Sequence, residues 1–275
     1  MLVSTPIGNL DDLSPRAKAT LLNADLILCE DTRHSARLIA TTGAKVKLQA
    51  LHEHNEDAAI PAVLEQLRHG KRIALISDAG VPLVSDPGYR LVRAALAEGL
   101  PVTAVPGANA AVTALVLSGL PPLPFLVLGF PPPRQAARRA ALGRLRAAER
   151  AGLTATLVWY EAPHRLGETL ADMADAFGPR QAAVARELTK RFEEVRRGTL
   201  SELAAHYRDH AVRGEVTVVV GPAEQDDPED LDGQLRVALA GNSVKDAAAL
   251  VATATGLPRK LVYARALALT ARQEP

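Results

Sequence analysis

Residues 75–92 read LISDAGVPLVSDPGYRLV, and the change of character along this stretch decides the fold. An apolar run fit for a buried strand stops at Ser77-Asp78. Two turns containing Gly or Pro follow, led by Asp78 and Asp86, and helical spacing resumes at Tyr89. Strand, polar turn and helix in that order make one unit of an α/β layer. Open α/β sheets bind ligands beyond the carboxyl ends of their strands, so two carboxylates there mark a candidate site.

The same unit recurs on either side. Strands are predicted in MLVS, LILCE, VKLQAL, RIALIS and PVTAVP, with helices at 14–23, 34–42, 56–69, 88–98 and 108–118. Ser14 is placed to cap the first helix, with Pro15 in its first turn. Three prolines in SGLPPLPF (118–125) interrupt both periodicities and read as an interdomain linker. The pattern restarts with FLVLGF, an arginine-rich helix at 134–150, TATLVWYEAP, a helix at 165–176, QAAVAREL, a hairpin strand in 191–200 and EVTVVVGP. The alternation predicts largely parallel sheets with helices on their faces. AEQDDPEDLDG (223–233) reads as an exposed acidic connector. Beyond it Ser243 and Asp246 form a near capping box, Gly256 a stop, and Pro258 opens a last helix, a small helix-turn-helix appendage. The domains expected are 1–119, 120–223 and 224–275.

Composition supports this reading. Among the 275 residues 48% are apolar but only 3% aromatic, so Ala, Val and Leu build the cores. The net charge of +1 gives no whole-protein basic field, and nucleic acid must meet a local patch. Six arginines between Arg134 and Arg150 supply one. The lone cysteine, Cys29, excludes an internal disulfide and a multi-cysteine metal site, and its place in LILCE reads as a buried thiol. No signal peptide and no apolar stretch of ~18 residues is visible, so a soluble cytoplasmic protein is expected.

Four junctions in the first half, STPIGNLDD, CEDTRHS, SDAGVPLVSD and VPGANAA, resemble one another and fall at predicted strand ends. Their glycines and alanines admit a ligand to the backbone. Asn9, Glu30, Asp31, Arg33, Asp78, Asp86 and Asn109 gather polar groups at that edge. Each junction alone reads more readily as a helix cap; four together point to a small-ligand cleft. Neither a dinucleotide fingerprint, a P-loop nor a serine elbow is present. His52, Glu53 and His54 lie in a polar loop rather than on a strand face, and no metal is expected.

These motifs, with LHEHNE, YEAPHR, ARELTKRFEEV and RGEVTVVVGP, resemble the tetrapyrrole-methylase superfamily in order from residue 4 to 222. Within it the chain is similar to the bacterial (cytidine-2′-O)-methyltransferases of 16S ribosomal RNA, which act in the decoding region of the small subunit. The resemblance implies a Rossmann-like N-terminal α/β domain, a second αβα domain, a C-terminal helical appendage, a homodimer, and S-adenosylmethionine in the cleft. It implicates Asp78, Ala79, Gly80 and Val81, then Gly107, Asn109 and Ala110, as cofactor contacts. Tyr160, Glu161, Gly214 and Glu215 would lie near the adenine. Asp86 is read as a turn residue and helix cap. The first loop, STPIGN, departs from the Gly-rich loop of the precorrin methylases, and Asn109 stands where relatives often carry other residues.

Transfer to a ribose hydroxyl needs in-line positioning and benefits from a base. Glu30, Asp31 and Arg33, with Arg186, Glu187 and Lys190 from the second half, are the candidates; an ion-pair network holding the loops is the structural alternative. Arg134, Arg138, Arg139 and Arg146 are expected to meet RNA phosphates, with Arg186 to Arg197 beside them and Arg259, Lys260 and Arg265 as a further contact. The competing functions are methylation of a tetrapyrrole and a cofactor-binding RNA adaptor without turnover.

Overall fold

The computed structural model describes every residue except 211, 224–227, 256 and 272–275. The first half is a parallel sheet of β1 (Leu2–Val3), β2 (Leu26–Cys29), β3 (Lys47–Ala50), β4 (Ile73–Ile76) and β5 (Ala104–Val105), ordered β3-β2-β4-β1-β5. Strands β2 and β4 are buried along their whole length, as continuous apolar runs in a covered parallel sheet should be. Their residues alternate between two cores: Leu26, Leu28, Ile73 and Leu75 face one, Ile27, Cys29, Ala74 and Ile76 the other. Cys29 is fully buried, and burial pushes its thiol pKa up.

Helices α1 (Pro15–Leu22), α2 (Thr32–Thr42), α3 (Glu56–Arg68), α4 (Tyr89–Ala97) and α5 (Ala110–Ser118) follow the strands. Ser14 Oγ accepts from the Ala17 N–H at 3.1 Å, as its position predicts. α2 starts two residues earlier than its spacing indicates, because Asp31 caps it by accepting from the Arg33 N–H at 2.8 Å. α5 packs on the second sheet, placing Ala111, Ala114 and Leu115 in one core with Val158, Ala183 and Val219.

That second sheet holds β6 (Phe125–Val127), β7 (Thr156–Glu161), β8 (Gln181–Arg186), β9 (Glu194–Thr199) and β10 (Val216–Val220), ordered β6-β7-β10-β8-β9. Only β6–β7 is parallel, whereas the other three pairings are antiparallel, so the expectation of largely parallel sheets holds for the first half alone. A short connection folds β9 back on β8, and β10 inserts between β7 and β8. Helices α6 (Gln135–Arg150) and α7 (Leu166–Phe177) lie where expected. α8 (Leu200–Asp209) was not anticipated. Its signal is a capping box: Glu202 N–H donates to Thr199 Oγ1, and Thr199 N–H to the Glu202 carboxylate.

The C-terminal part has three helices, α9 (Pro228–Leu239), α10 (Val244–Thr255) and α11 (Arg259–Ala271), around Leu235, Ala248, Val251, Val262 and Ala266. The expected acidic connector is corrected here: its end is the first turn and a half of α9, where Leu231 is buried. Residues 224–227 of that connector, and the stop assigned to Gly256, lie outside the described residues. Ser243 does cap α10, accepting from Asp246 N–H at 3.2 Å. Among the described residues no helix is long and apolar enough to cross a membrane.

Candidate active site

A cavity of about 350 Å³ opens where the carboxyl ends of the first sheet face the second, within the usual range for small-ligand sites. Its floor is the loop after β4. Thr5 and Gly80 exchange both backbone hydrogen bonds (2.8 and 3.1 Å), and Ser77 Oγ donates to Gly80 O at 2.9 Å, so 77–80 is pinned to the first loop. Gly80 adopts φ +83°, with Ile7 Cγ2 only 3.3 Å from where a Cβ would stand. Asp78, Ala79, Gly80 and Val81 all line the cavity, as do Asn109 and Ala110 at the start of α5. Asn109 also caps that helix, accepting from Val112 N–H at 3.0 Å.

The second half closes the other side with Tyr160, Glu161, Gly214 and Glu215. Tyr160 and Phe130 form a tilted aromatic pair 5.6 Å apart, and burial pushes the Tyr160 phenol pKa up. Glu161 is 2% exposed, and its carboxylate accepts from Ala162 N–H, Arg165 and Thr169. It therefore builds the wall and has little capacity left for a ligand. Gly107 is the one expected cofactor contact outside the cavity lining. A Cβ there would stand 2.8 Å from Ser4 Cβ, so this glycine lets two loops pack.

The residues proposed for chemistry lie at the rim. Asp31 is committed to capping α2, and hydrogen bonds from Arg33 hold its carboxyl below the usual carboxylate range. Its N–H donates weakly to Asp78 Oδ1 at 3.5 Å, which ties the two loops together. Glu30 and Arg33 are exposed. Lys190 Nζ contacts Glu187 at 3.0 Å and Glu215 at 2.9 Å. Burial alone would lower its pKa, but the two carboxylates outweigh it and keep the ammonium charged. Lys190 thus clamps the loop 187–190 to the start of β10, and Glu215 N–H donates to the same Glu187 carboxylate at 3.1 Å. Gly214 is required here: φ is +85° and a Cβ would fall 1.9 Å from Glu187 Oε1. Asn9 N–H donates to Thr189 Oγ1 at 3.0 Å, joining the clamp to the first loop.

The four non-glycine residues at positive φ among those described, Leu83, Ser85, Glu187 and Thr189, all belong to the loop after β4 or to this clamp. Strain of that kind persists where surrounding structure over-determines a loop, commonly at a site.

Asp86 corrects the sequence reading. It does not cap α4, whose N-cap is Gly88 with no side-chain hydrogen bond; it lines the cavity. Burial first, then the charges of Glu30 and Asp78, push its pKa up to about 7. The spacing of SDAGVPLVSDPG shows both aspartates but not that they share a cavity.

The arginine helix divides by face. Positions 138, 142, 145 and 149 follow helical spacing and turn inward. Arg138 is 1% exposed, with Nε donating to Asp172 at 2.7 Å, so its assignment to RNA is corrected: it is a buried ion-pair partner. Arg139 bridges Asp172 and Asp175, and Arg146 contacts Glu149, which Arg180 also holds. Arg134, Arg144 and Arg150 are exposed and make no ion pair among the described residues. No three His, Cys, Asp or Glu side chains converge as metal ligands among the described residues.

A family profile described as Tetrapyrrole (Corrin/Porphyrin) Methylases matches residues 1–204. The chain belongs to the tetrapyrrole methylase family. It is an S-adenosylmethionine-dependent methyltransferase. A second profile, RsmI C-terminal HTH domain, matches residues 225–270. The chain is 46% identical to a protein of Mesorhizobium japonicum over 98% of its own length and 91% of the relative's. It is 45% identical to one of Pseudomonas aeruginosa over 97% and 95%. Both are named ribosomal RNA small subunit methyltransferase I. Among solved structures, diphthine synthase shares the fold at TM-score 0.61 and 14% identity, covering 80% of this chain and 88% of that one. Uroporphyrin-III C-methyltransferase from Thermus thermophilus, complexed with S-adenosyl homocysteine, does so at 0.54 and 20%, covering 80% and 95%.

Proposed function

We propose that this protein methylates the ribose 2′-oxygen of a cytidine in 16S ribosomal RNA, within the small ribosomal subunit, as a cytoplasmic homodimer. What carries the reading is the cavity, where every expected cofactor contact except Gly107 converges from both sheets. The near full-length likeness to the two named methyltransferases supports RNA as the substrate. Residues 1–119 and 120–223 are taken as the two walls of the cleft, with 224–275 as an RNA-facing appendage.

The cavity suits the cofactor. Ala79, Gly80 and Val81 offer close backbone, Phe130 and Tyr160 an apolar surface for a purine, and Asp78 a carboxylate for a cationic group. When bound, S-adenosylmethionine supplies an activated methyl group. The chain's own contribution is to hold the acceptor hydroxyl in line, exclude water and receive a proton. Asp31 and Lys190 serve this by fixing the two rims, since both are engaged in ion pairs. Phosphates are met by the outer face of α6, at Arg134, Arg144 and Arg150, with Arg139 and Arg146 at its edge.

Labelled cofactor incubated with the protein and either small ribosomal subunits or a precorrin tests the substrate, and mass spectrometry of digested RNA identifies the nucleoside. Label in a 2′-O-methylcytidine is expected. Label only in the precorrin would make the protein a tetrapyrrole methylase, and binding without turnover an adaptor.

A further inference from the structure

Among the described residues, Asp86 is the one cavity carboxylate left without a companion. Glu161 is held by Arg165 and Thr169, Glu215 by Lys190, and Asp78 accepts from the Asp31 N–H. Asp86 makes no hydrogen bond or ion pair among the described residues, although it is half-buried in the cavity wall. The charged groups that act on it, Glu30 at the end of β2 and Asp78 at the end of β4, are both acidic; Tyr160 on β7 interacts with it as a neutral phenol. A carboxylate in such surroundings is poorly stabilised as an anion and readily takes a proton. A cation entering the cavity reverses the balance.

We propose that Asp86 answers the sulfonium charge of the methyl donor, ionising when S-adenosylmethionine binds and accepting the substrate's proton during transfer. This rests on the reading of the cavity as the cofactor site. The balance closes within the site. As the ribose O–C bond forms, the C–S bond breaks with its electron pair left on sulfur. The hydroxyl proton passes to Asp86, and a sulfonium–carboxylate pair becomes a thioether beside a carboxylic acid. The net charge of the cavity does not change, so no ion is left stranded in a half-buried place. Asp31, whose carboxyl is held low by Arg33, and Lys190, held charged by two carboxylates, are poorer acceptors.

The test is calorimetry of cofactor binding in buffers of different ionisation heat. S-adenosylmethionine is compared with S-adenosylhomocysteine, which keeps the α-ammonium but lacks the sulfonium. For the wild type, S-adenosylmethionine should release about half a proton per site at pH 7 and bind about tenfold more weakly at pH 6 than at pH 8. S-adenosylhomocysteine should show neither effect. Asp86→Asn should abolish the proton release and flatten the pH dependence. Equal proton release for the two compounds would overturn the sulfonium assignment without any variant, and unchanged release from Asp86→Asn would overturn the choice of residue. Ala110→Phe, which fills the cavity, keeps the two readings apart. If it binds the cofactor as tightly as the wild type, the site assignment itself fails, whatever Asp86 does.

Discussion

Arg138→Ala separates the architecture of the arginine helix from any role in RNA binding. The guanidinium is 1% exposed, donates to Asp172 at 2.7 Å and to Pro133 O at 3.2 Å, and joins α6 to α7. Burial alone would oppose ionisation of Asp172, but hydrogen bonds from Arg139, Arg138 and Gln135 hold its carboxyl below the usual range. Truncating Arg138 leaves a buried carboxylate short of one partner and opens a void the length of the side chain. Breaking a buried pair on one side costs ~3–5 kcal/mol. Arg139 and Gln135 remain at 2.6 and 3.2 Å, which places the loss near the lower end. At about 2–4 °C per kcal/mol for a chain of this size, the melting temperature should fall by about 6–12 °C. Arg138→Met with Asp172→Leu removes both charges and should recover much of that. Replacing Arg134, Arg144 and Arg150 together should leave melting unchanged, weaken binding to small ribosomal subunits and flatten its salt dependence by roughly 2 logarithmic units per decade of salt. Differential scanning calorimetry and filter binding across a salt series measure the two quantities. An Arg138→Ala protein that melts like the wild type but loses RNA binding would refute this division of the helix.

Gly214→Ala should displace Glu187, leave Lys190 held by Glu215 alone and weaken cofactor binding, with ~1–3 kcal/mol of backbone strain; calorimetry and a melt together check this, and wild-type affinity would show the clamp to be dispensable. Asp78→Ala should lower cofactor affinity without lowering the melting temperature, because Asp78 ends its strand at the cavity; unchanged affinity would remove it from the site. In the ligand-free protein Asp86 has a folded pKa of about 7 against an ordinary 3.8, so the native state binds the extra proton and stability falls as pH rises from about 4 through 7. Asp86→Asn should lack that component, which denaturant melts at pH 5 and 8 would reveal as a gain over wild type that is larger at the higher pH. Light scattering should show a dimer, since Leu123, Val116 and Phe192 are each more than 60% exposed; a mass at 29.1 kDa would contradict it.

Much of the fold was legible because its signals are local. Ser14 and Ser243 cap helices where their positions say they should, and the apolar runs of β2 and β4 match strands buried on both faces. The site loops were legible for the same reason: Gly, Pro and Asp in SDAGVPLVSDPG specify turns whatever else surrounds them. The start of α8 is equally local, its capping box lying within the four contiguous residues 199–202.

Other features depend on which distant groups meet. The antiparallel pairing of β10 with β7 and β8 follows from where β10 inserts, a choice made by long-range packing that alternating apolar residues do not encode. The arginines of α6 look alike in the sequence, yet helix rotation against α7 buries Arg138 and exposes Arg144. Asp86 and Asp78 sit in the same loop, but Asp86 becomes basic only because folding removes water and brings Glu30 from another strand end beside it. Turn and cap preferences act over a few bonds and can be read along the chain. Desolvation and Coulomb interactions act through space, and so only the tertiary structure decides them.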